Sequence, residues 1–209
     1  MDYLISSLIG YLFGSIPTAY LILKKARGID ITKTGTGNVG AMNSYEVTRS
    51  KFLGIIVLLI DALKGIVPIV IVSQIFSASY TIAGLSLIFA IFSHCFNPWL
   101  RFKGGRGLAT AAGGSLLLSP LLLITWAILW LVFYIIKKDI LVSNIMATII
   151  SLLTVLIGNN LFLEYSYYSK PELNEIVLVL SSGLLLIFIK HIEPFNEIIE
   201  KTKKNKNDK

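Results

Sequence analysis

Long apolar runs separated by short polar or basic segments limit this chain to one class of fold. They occupy residues 3–23, 52–73, 80–96, 121–136, 140–163 and 176–189. Several reach the ~20 residues that an α-helix needs to cross a bilayer, and Pro17 should kink the first. Charged residues make up only 15% of the chain, whereas soluble domains carry about 25%. The sequence therefore predicts an all-α integral membrane protein with a single domain over residues 1–209.

A shorter apolar run, at residues 108–118, decides the predicted number of crossings. It is rich in glycine and too short to cross a bilayer comfortably. If it crosses, the N-terminus lies outside and 17 of the 19 lysines and arginines lie on the cytoplasmic side. If it does not, Lys137 and the basic tail from about residue 194 move to the opposite side. Because cytoplasmic loops concentrate basic residues, we predict about seven transmembrane helices, one of them short. The net charge of +7 then reflects these loops, and no nucleic-acid partner is expected.

The segment 94–110, HCFNPWLRFKGGRGLAT, combines cations and glycines without a single acidic residue. Three cations fall within six positions: Arg101, Lys103 and Arg106. Three glycines lie beside them: Gly104, Gly105 and Gly107. Glycine lets the backbone approach a ligand closely and turn successive N–H groups toward one point. The following helix would direct its positive N-terminal end to the same point. This combination predicts a phosphate-binding loop.

A second interpretation of segment 94–110 is a basic loop at the membrane edge that only fixes orientation. Basic residues alone would favour it, but the flanking glycines do not follow from it. The spacing of a Walker A loop is absent. We therefore favour the phosphate-binding interpretation.

A glycine-rich polar loop also follows the first apolar run, at residues 28–43. Its glycines are Gly35, Gly37 and Gly40, and its polar side chains are Thr34, Thr36, Asn38 and Asn43. A flexible turn is one interpretation. The density of hydrogen-bonding side chains favours a compact ligand-binding loop. With seven crossings, both glycine-rich loops and His191 reach the cytoplasmic face, where they can form one site.

Asp61 and Lys64 lie inside the second apolar run, three positions apart and therefore on one helical face. Charged groups within a span usually face the interior of the helix bundle. We favour the interpretation that the two side chains neutralise each other. A contribution of Lys64 to the anion site is the second interpretation.

The remaining reactive side chains give no further site. His94 could serve equally well as a structural hydrogen-bonding residue or as a base. Cys95 is better explained as a small packing residue than as a nucleophile. A single cysteine excludes an internal disulfide, and two histidines without clustered acids predict no metal site. No cofactor and no cleavable signal peptide are expected.

The chain resembles a family of bacterial integral-membrane glycerol-3-phosphate acyltransferases, the PlsY type, which use acyl phosphate as the donor. The resemblance covers nearly the whole chain. It rests on four segments: GSIP at 14–17, GTGNVGAMN at 35–43, DALKG at 61–65 and RFKGGRGLAT at 101–110. His191 falls where the C-terminal histidine motif of the family begins.

Several positions depart from the family pattern. Thr36 replaces a serine and keeps its hydroxyl, and Arg106 replaces a lysine and keeps its positive charge. Glu46 stands where the family has an arginine, for which Arg49 is a possible substitute. Pro194 stands in place of an asparagine. Ser93 replaces the glycine before the family's His-x-Phe-Pro motif, and Asn97 occupies the position of its proline, with Pro98 following.

The resemblance implies transfer of a fatty acyl group from acyl phosphate to the 1-hydroxyl of glycerol 3-phosphate. The product would be lysophosphatidic acid for phospholipid synthesis, and an enzyme that makes acyl phosphate is a possible partner. Thr36, Asn38 and His191 are then the candidate catalytic residues, with Asn43 and His94 as further possibilities. The candidate phosphate-binding residues are Arg49, Lys64, Lys103, Gly104, Gly105, Arg106 and Gly107. No covalent acyl-enzyme is expected.

Two other functions remain open from the sequence. Glu46 and Pro194 suit a divergent relative that acylates another alcohol or is inactive. Basic loops and charges within spans also suit a transporter of phosphate-bearing solutes. An inverted repeat is not evident, and both glycine-rich loops are predicted on one side, which disfavours the transporter.

Overall fold

The computed structural model describes residues 1–76, 79–165 and 171–207, with side chains described as far as residue 194. Within these ranges the chain forms ten α-helices, two short 3-10 helices and no strand. The prediction of an all-α fold is confirmed. The helices are α1 (Asp2–Gly14), α2 (Thr18–Arg27), α3 (Ala41–Thr48), α4 (Lys51–Ile75), α5 (Tyr80–Cys95), α6 (Leu108–Leu118), α7 (Pro120–Lys137), α8 (Ile140–Ile157), α9 (Asn159–Glu164) and α10 (Leu173–Asn207).

Six segments are long and apolar enough to cross a membrane, and α6 is a shorter apolar helix. The six are Asp2–Arg27, Lys51–Ile75, Tyr80–Leu100, Pro120–Lys137, Ile140–Ile157 and Leu173–Pro194. They coincide with the apolar runs of the sequence. The run at 140–163 differs, because Gly158 separates α8 from the short α9.

Pro17 breaks the first segment into α1 and α2 rather than merely bending it. The break leaves the carbonyl of Ser15 without a continuing helix, and the buried amide of Asn97 donates to it at 2.7 Å. The indole N–H of Trp99 donates to the Ser15 hydroxyl at 3.3 Å. The break thereby anchors the start of segment 98–107 between α5 and α6.

Small residues let α6 lie against α4 at backbone distance. A Cβ on Gly65 would overlap the carbonyl oxygen of Thr110, and one on Gly113 would overlap that of Ala62. The Thr110 hydroxyl also donates to the Asp61 carbonyl at 3.0 Å. This close packing explains how a helix of 11 residues holds its place among longer ones.

Candidate active site

The two glycine-rich loops meet, as the sequence predicts. The backbone N–H of Val39 donates to the carbonyl of Gly104 at 3.2 Å. A polar cleft of about 590 Å³ opens beside this contact, within the size range of small-molecule sites. Its lining comprises Thr32, Gly35, Thr36, Gly37, Asn38, Lys103, Gly104, Arg106, Leu141, Lys190, Glu193 and Pro194.

The Asn43 side chain holds the first loop together through hydrogen bonds to its backbone. Its buried amide accepts from the Thr36 N–H at 3.1 Å and donates to the carbonyls of Thr34 and Asn38 at 3.1 and 2.9 Å. Gly35 and Gly37 have φ of +63° and +72°, a conformation that glycine adopts at little cost. Asn43 therefore supports the loop, while the exposed Thr36 and the half-buried Asn38 line the cleft.

The three glycines of the second loop have different structural reasons. Only Gly107, with φ of +79°, needs the left-handed region. A Cβ on Gly104 would overlap the carbonyl oxygens of His94 and Cys95, and one on Gly105 would overlap Nε2 of His94. The Gly105 N–H also donates to the His94 carbonyl at 3.1 Å. The loop is thus pressed against the last turn of α5.

A buried charged cluster lies beneath this loop. Lys64 Nζ contacts Asp61 Oδ1 at 2.6 Å, and His94 Nδ1 lies 3.8 Å from the same oxygen. All three side chains are buried, and none of them lines the cleft. The structure therefore shows Asp61 and Lys64 as the neutralising pair that the sequence favoured. His94 lies beside this pair.

Arg106 and Lys103 are the cations that the second loop brings to the cleft. Burial lowers the pKa of Arg106 below its ordinary value, and the nearby Glu46 carboxylate opposes this shift. Arginine stays protonated in proteins, so the cleft keeps this charge. The exposed Arg101 and Arg49 do not line it, and both have positive φ, of 54° and 55°.

His191 lies inside the bundle rather than in the cleft wall. Its ring is fully buried, and the Trp130 indole donates to Asn144 Oδ1 at 2.7 Å. The Asn144 amide therefore faces Nε2 of His191, at 3.2 Å, as a donor. The His191 Nδ1–H then donates to the Ile187 carbonyl at 2.8 Å. Substrate contact by His191 stays a prediction, and it would require Asn144 to release Nε2.

Two ionisable residues of α10, Lys190 and Glu193, also line the cleft. Neither was among the site residues predicted from the sequence. Lys190 is adjacent to His191, the position taken from the family motif, and directly follows the apolar run at 176–189. Its cationic charge beside a predicted site residue was the available signal.

An apolar cavity begins two residues beyond Arg106. Leu108 of α6, Ile91 of α5 and Ile187 of α10 belong to its wall, and a Cβ on Gly107 would contact Ile91 and Ile187. Cys95 is buried, and the described residues contain no group of three potential metal ligands. A cationic cleft beside an apolar cavity suits an anion that carries a hydrocarbon chain.

The chain matches the family described as glycerol-3-phosphate acyltransferase over residues 4–201. It is 37% identical to the glycerol-3-phosphate acyltransferase of Ehrlichia canis, over 95% of each chain. It is 33% identical to that of Helicobacter pylori strain 26695, over 96% of this chain and 93% of the relative.

The fold is similar to the crystal structure of PlsY (YgiH), an integral membrane glycerol 3-phosphate acyltransferase, in its glycerol 3-phosphate form. The TM-score is 0.77 at 26% identity, over 96% of this chain and 94% of PlsY. The lysophosphatidic acid form of PlsY gives a TM-score of 0.76.

Proposed function

This chain belongs to the glycerol-3-phosphate acyltransferase family, and from this premise we propose that it moves a fatty acyl group from acyl phosphate to the 1-hydroxyl of glycerol 3-phosphate. The products are lysophosphatidic acid and inorganic phosphate. The observation that carries the proposal is the cationic cleft, formed by both glycine-rich loops, beside an apolar cavity. Both substrates present a phosphate, and the donor also brings an acyl chain.

The residues of the cleft receive the following roles in this proposal. Lys103 and Arg106 bind substrate phosphate together with the backbone of Gly104. Thr36 and Asn38, from the opposite loop, orient the acyl phosphate carbonyl and donate to the oxyanion that develops on it. The acyl chain leaves the cleft past Gly107 and enters the apolar cavity, which Leu108 and Ile187 help to line.

The reaction needs little chemistry from the protein. The glycerol hydroxyl oxygen attacks the acyl carbon, a new C–O bond forms, and the bond from this carbon to the phosphate oxygen breaks. The hydroxyl proton passes to the departing phosphate. Among the described residues that line the cleft, the one carboxylate, Glu193, is already bonded to Lys190. Because a mixed anhydride has a good leaving group, catalysis comes mainly from positioning and charge stabilisation.

The donor is the finer part of the proposal and has a direct test. Purified protein in nanodiscs should release phosphate and form lysophosphatidic acid from acyl phosphate and glycerol 3-phosphate. Acyl-CoA and acyl carrier protein should not serve, since the sequence has no His-x-x-x-x-Asp motif. Transfer from acyl-CoA with none from acyl phosphate would refute the proposed donor.

We further propose that the protein lies in the cell membrane with its N-terminus outside and the cleft facing the cytoplasm. The test is single cysteines in a Cys95→Ala background. A cysteine at the exposed Lys33 should react with impermeant reagents only from the cytoplasmic side, and one at the exposed Glu164 only from outside. Labelling of both positions from the same side would contradict this topology.

A further inference from the structure

Lys190 lines the same cleft as the cations of the second loop but comes from a different part of the chain. It lies on α10, whereas Lys103 and Arg106 come from the segment before α6. Of the described residues that line the cleft, these three are its cations. The function proposed above does not use Lys190.

The Lys190 ammonium is buried and has an internal anionic partner. Only 9% of the residue is exposed. Its Nζ lies 4.8 Å from the centroid of the Phe96 ring and 2.6 Å from Oε2 of Glu193. The Glu193 side chain, in contrast, is 52% exposed. The ammonium is therefore fixed in the cleft wall, while the carboxylate has room to turn toward water.

An ammonium has three N–H donors, and the bond to Glu193 is the single hydrogen bond of Nζ among the described side chains. A phosphate monoester offers three acceptor oxygens and up to two negative charges. It is therefore a stronger partner for Lys190 than the half-exposed carboxylate.

We propose that Lys190 is a substrate phosphate-binding residue. In the absence of substrate its ammonium is paired with the Glu193 carboxylate, and a substrate phosphate displaces this carboxylate. The inference rests on the function proposed above and deepens it. Binding then exchanges one partner of Lys190 for another, and the Glu193 carboxylate swings toward water. The ligand is a phosphate monoester dianion, which the acceptor, the donor headgroup and the released phosphate all resemble.

Two substitutions have opposite expected effects. Lys190→Met keeps most of the length of the side chain and removes its charge, so binding of glycerol 3-phosphate should weaken about 10- to 150-fold, the range of a charge-assisted hydrogen bond. Glu193→Gln removes the competing anion, so binding should tighten about 2- to 5-fold, the range of an exposed ion pair. A pair with only a structural role predicts that both substitutions impair the protein.

The experiment is isothermal titration of detergent-solubilised full-length protein with glycerol 3-phosphate and with inorganic phosphate, without an acyl donor. Lys137→Met is the matched control, because Lys137 is an exposed cation outside the cleft, and it should bind like wild type. Lys190→Arg should keep most of the affinity. Gel filtration and thermal melting report folding.

Weak binding by Lys190→Met with tighter binding by Glu193→Gln supports the proposal. Wild-type affinity in Lys190→Met, or equal weakening in both variants, overturns it. If Lys190→Met does not fold, the affinity of Glu193→Gln decides: tighter binding than wild type supports the proposal, and weaker binding overturns it. Wild-type protein that binds neither ligand would refute the proposed function and this inference together. Wild-type binding that is unaffected by Lys190→Met would refute this inference alone.

Discussion

Arg106→Ala should lower kcat/KM for acyl transfer by about 10- to 150-fold or more. Arg106 is the partly buried cation of the cleft and comes from the same loop as Gly104. A charge-assisted phosphate contact contributes roughly 1.5–3 kcal/mol, and any strengthening in the transition state adds to it. The measurement is the kinetic constants for both substrates in nanodiscs, with lysophosphatidic acid as the readout.

Arg106→Lys and Arg101→Ala are the comparisons that give this result its meaning. Lysine keeps the charge and stands at this position in the family pattern, so Arg106→Lys should retain much of the activity, although a bidentate grip is lost. Arg101 is exposed and does not line the cleft, so Arg101→Ala should behave like wild type. An orientation-setting loop predicts normal kinetics for well-inserted Arg106→Ala, and that outcome would end the phosphate-binding interpretation.

The helices could be predicted because membrane-spanning segments need long apolar runs, whatever their neighbours are. α6 coincides with the apolar run at 108–118. From the sequence, Pro17 could be predicted only to kink the helix. The complete break is stabilised by Asn97, which lies 80 positions further along the chain and donates to the Ser15 carbonyl. A distant partner of this kind leaves no periodic signal.

The candidate site could be predicted where glycines and polar residues cluster in sequence, and less well where single residues from helices join it. Thr36, Asn38, Lys103 and Arg106 line one cleft. Lys190 was missed because one lysine at the end of a span usually marks the membrane edge. His191 has its place in the motif, but its burial depends on Asn144 and Trp130 of two other helices.

The glycine-rich loop shows the same limit at Gly105. The sequence suggested that this glycine lets the backbone approach a phosphate closely. The structure shows that its φ is not positive and that its missing side chain makes room for the His94 ring. Asp61 lies 3.8 Å from that ring, so the buried cluster and the loop restrict each other.

Gly105→Ala should therefore lower kcat/KM by about 100-fold while the protein still inserts and folds. The new methyl group overlaps His94 Nε2, and the His94 ring is buried, with Asp61 3.8 Å away, so the loop must shift. Displacing catalytic groups by about 1 Å can cost about 100-fold. Steady-state kinetics should show a raised KM for glycerol 3-phosphate, because Gly104 and Arg106 move with the loop. Gly183→Ala in α10 is the matched control for the KM of glycerol 3-phosphate, since Gly183 lines the apolar cavity and not the cleft, and its Cβ would meet Ile91 at an ordinary 3.6 Å.

A double-mutant cycle separates this steric cause from a general loss of loop flexibility. His94→Ala removes the ring, and with it the overlap at Gly105, although it also removes a buried neighbour of Asp61, which keeps its contact with Lys64. The factor by which Gly105→Ala lowers kcat/KM should then shrink from about 100-fold to a few-fold in the His94→Ala background, because residues in direct contact are not additive. An unchanged factor in that background would show that His94 is not what Gly105 accommodates, and the link between the buried cluster and the phosphate loop would have to be abandoned.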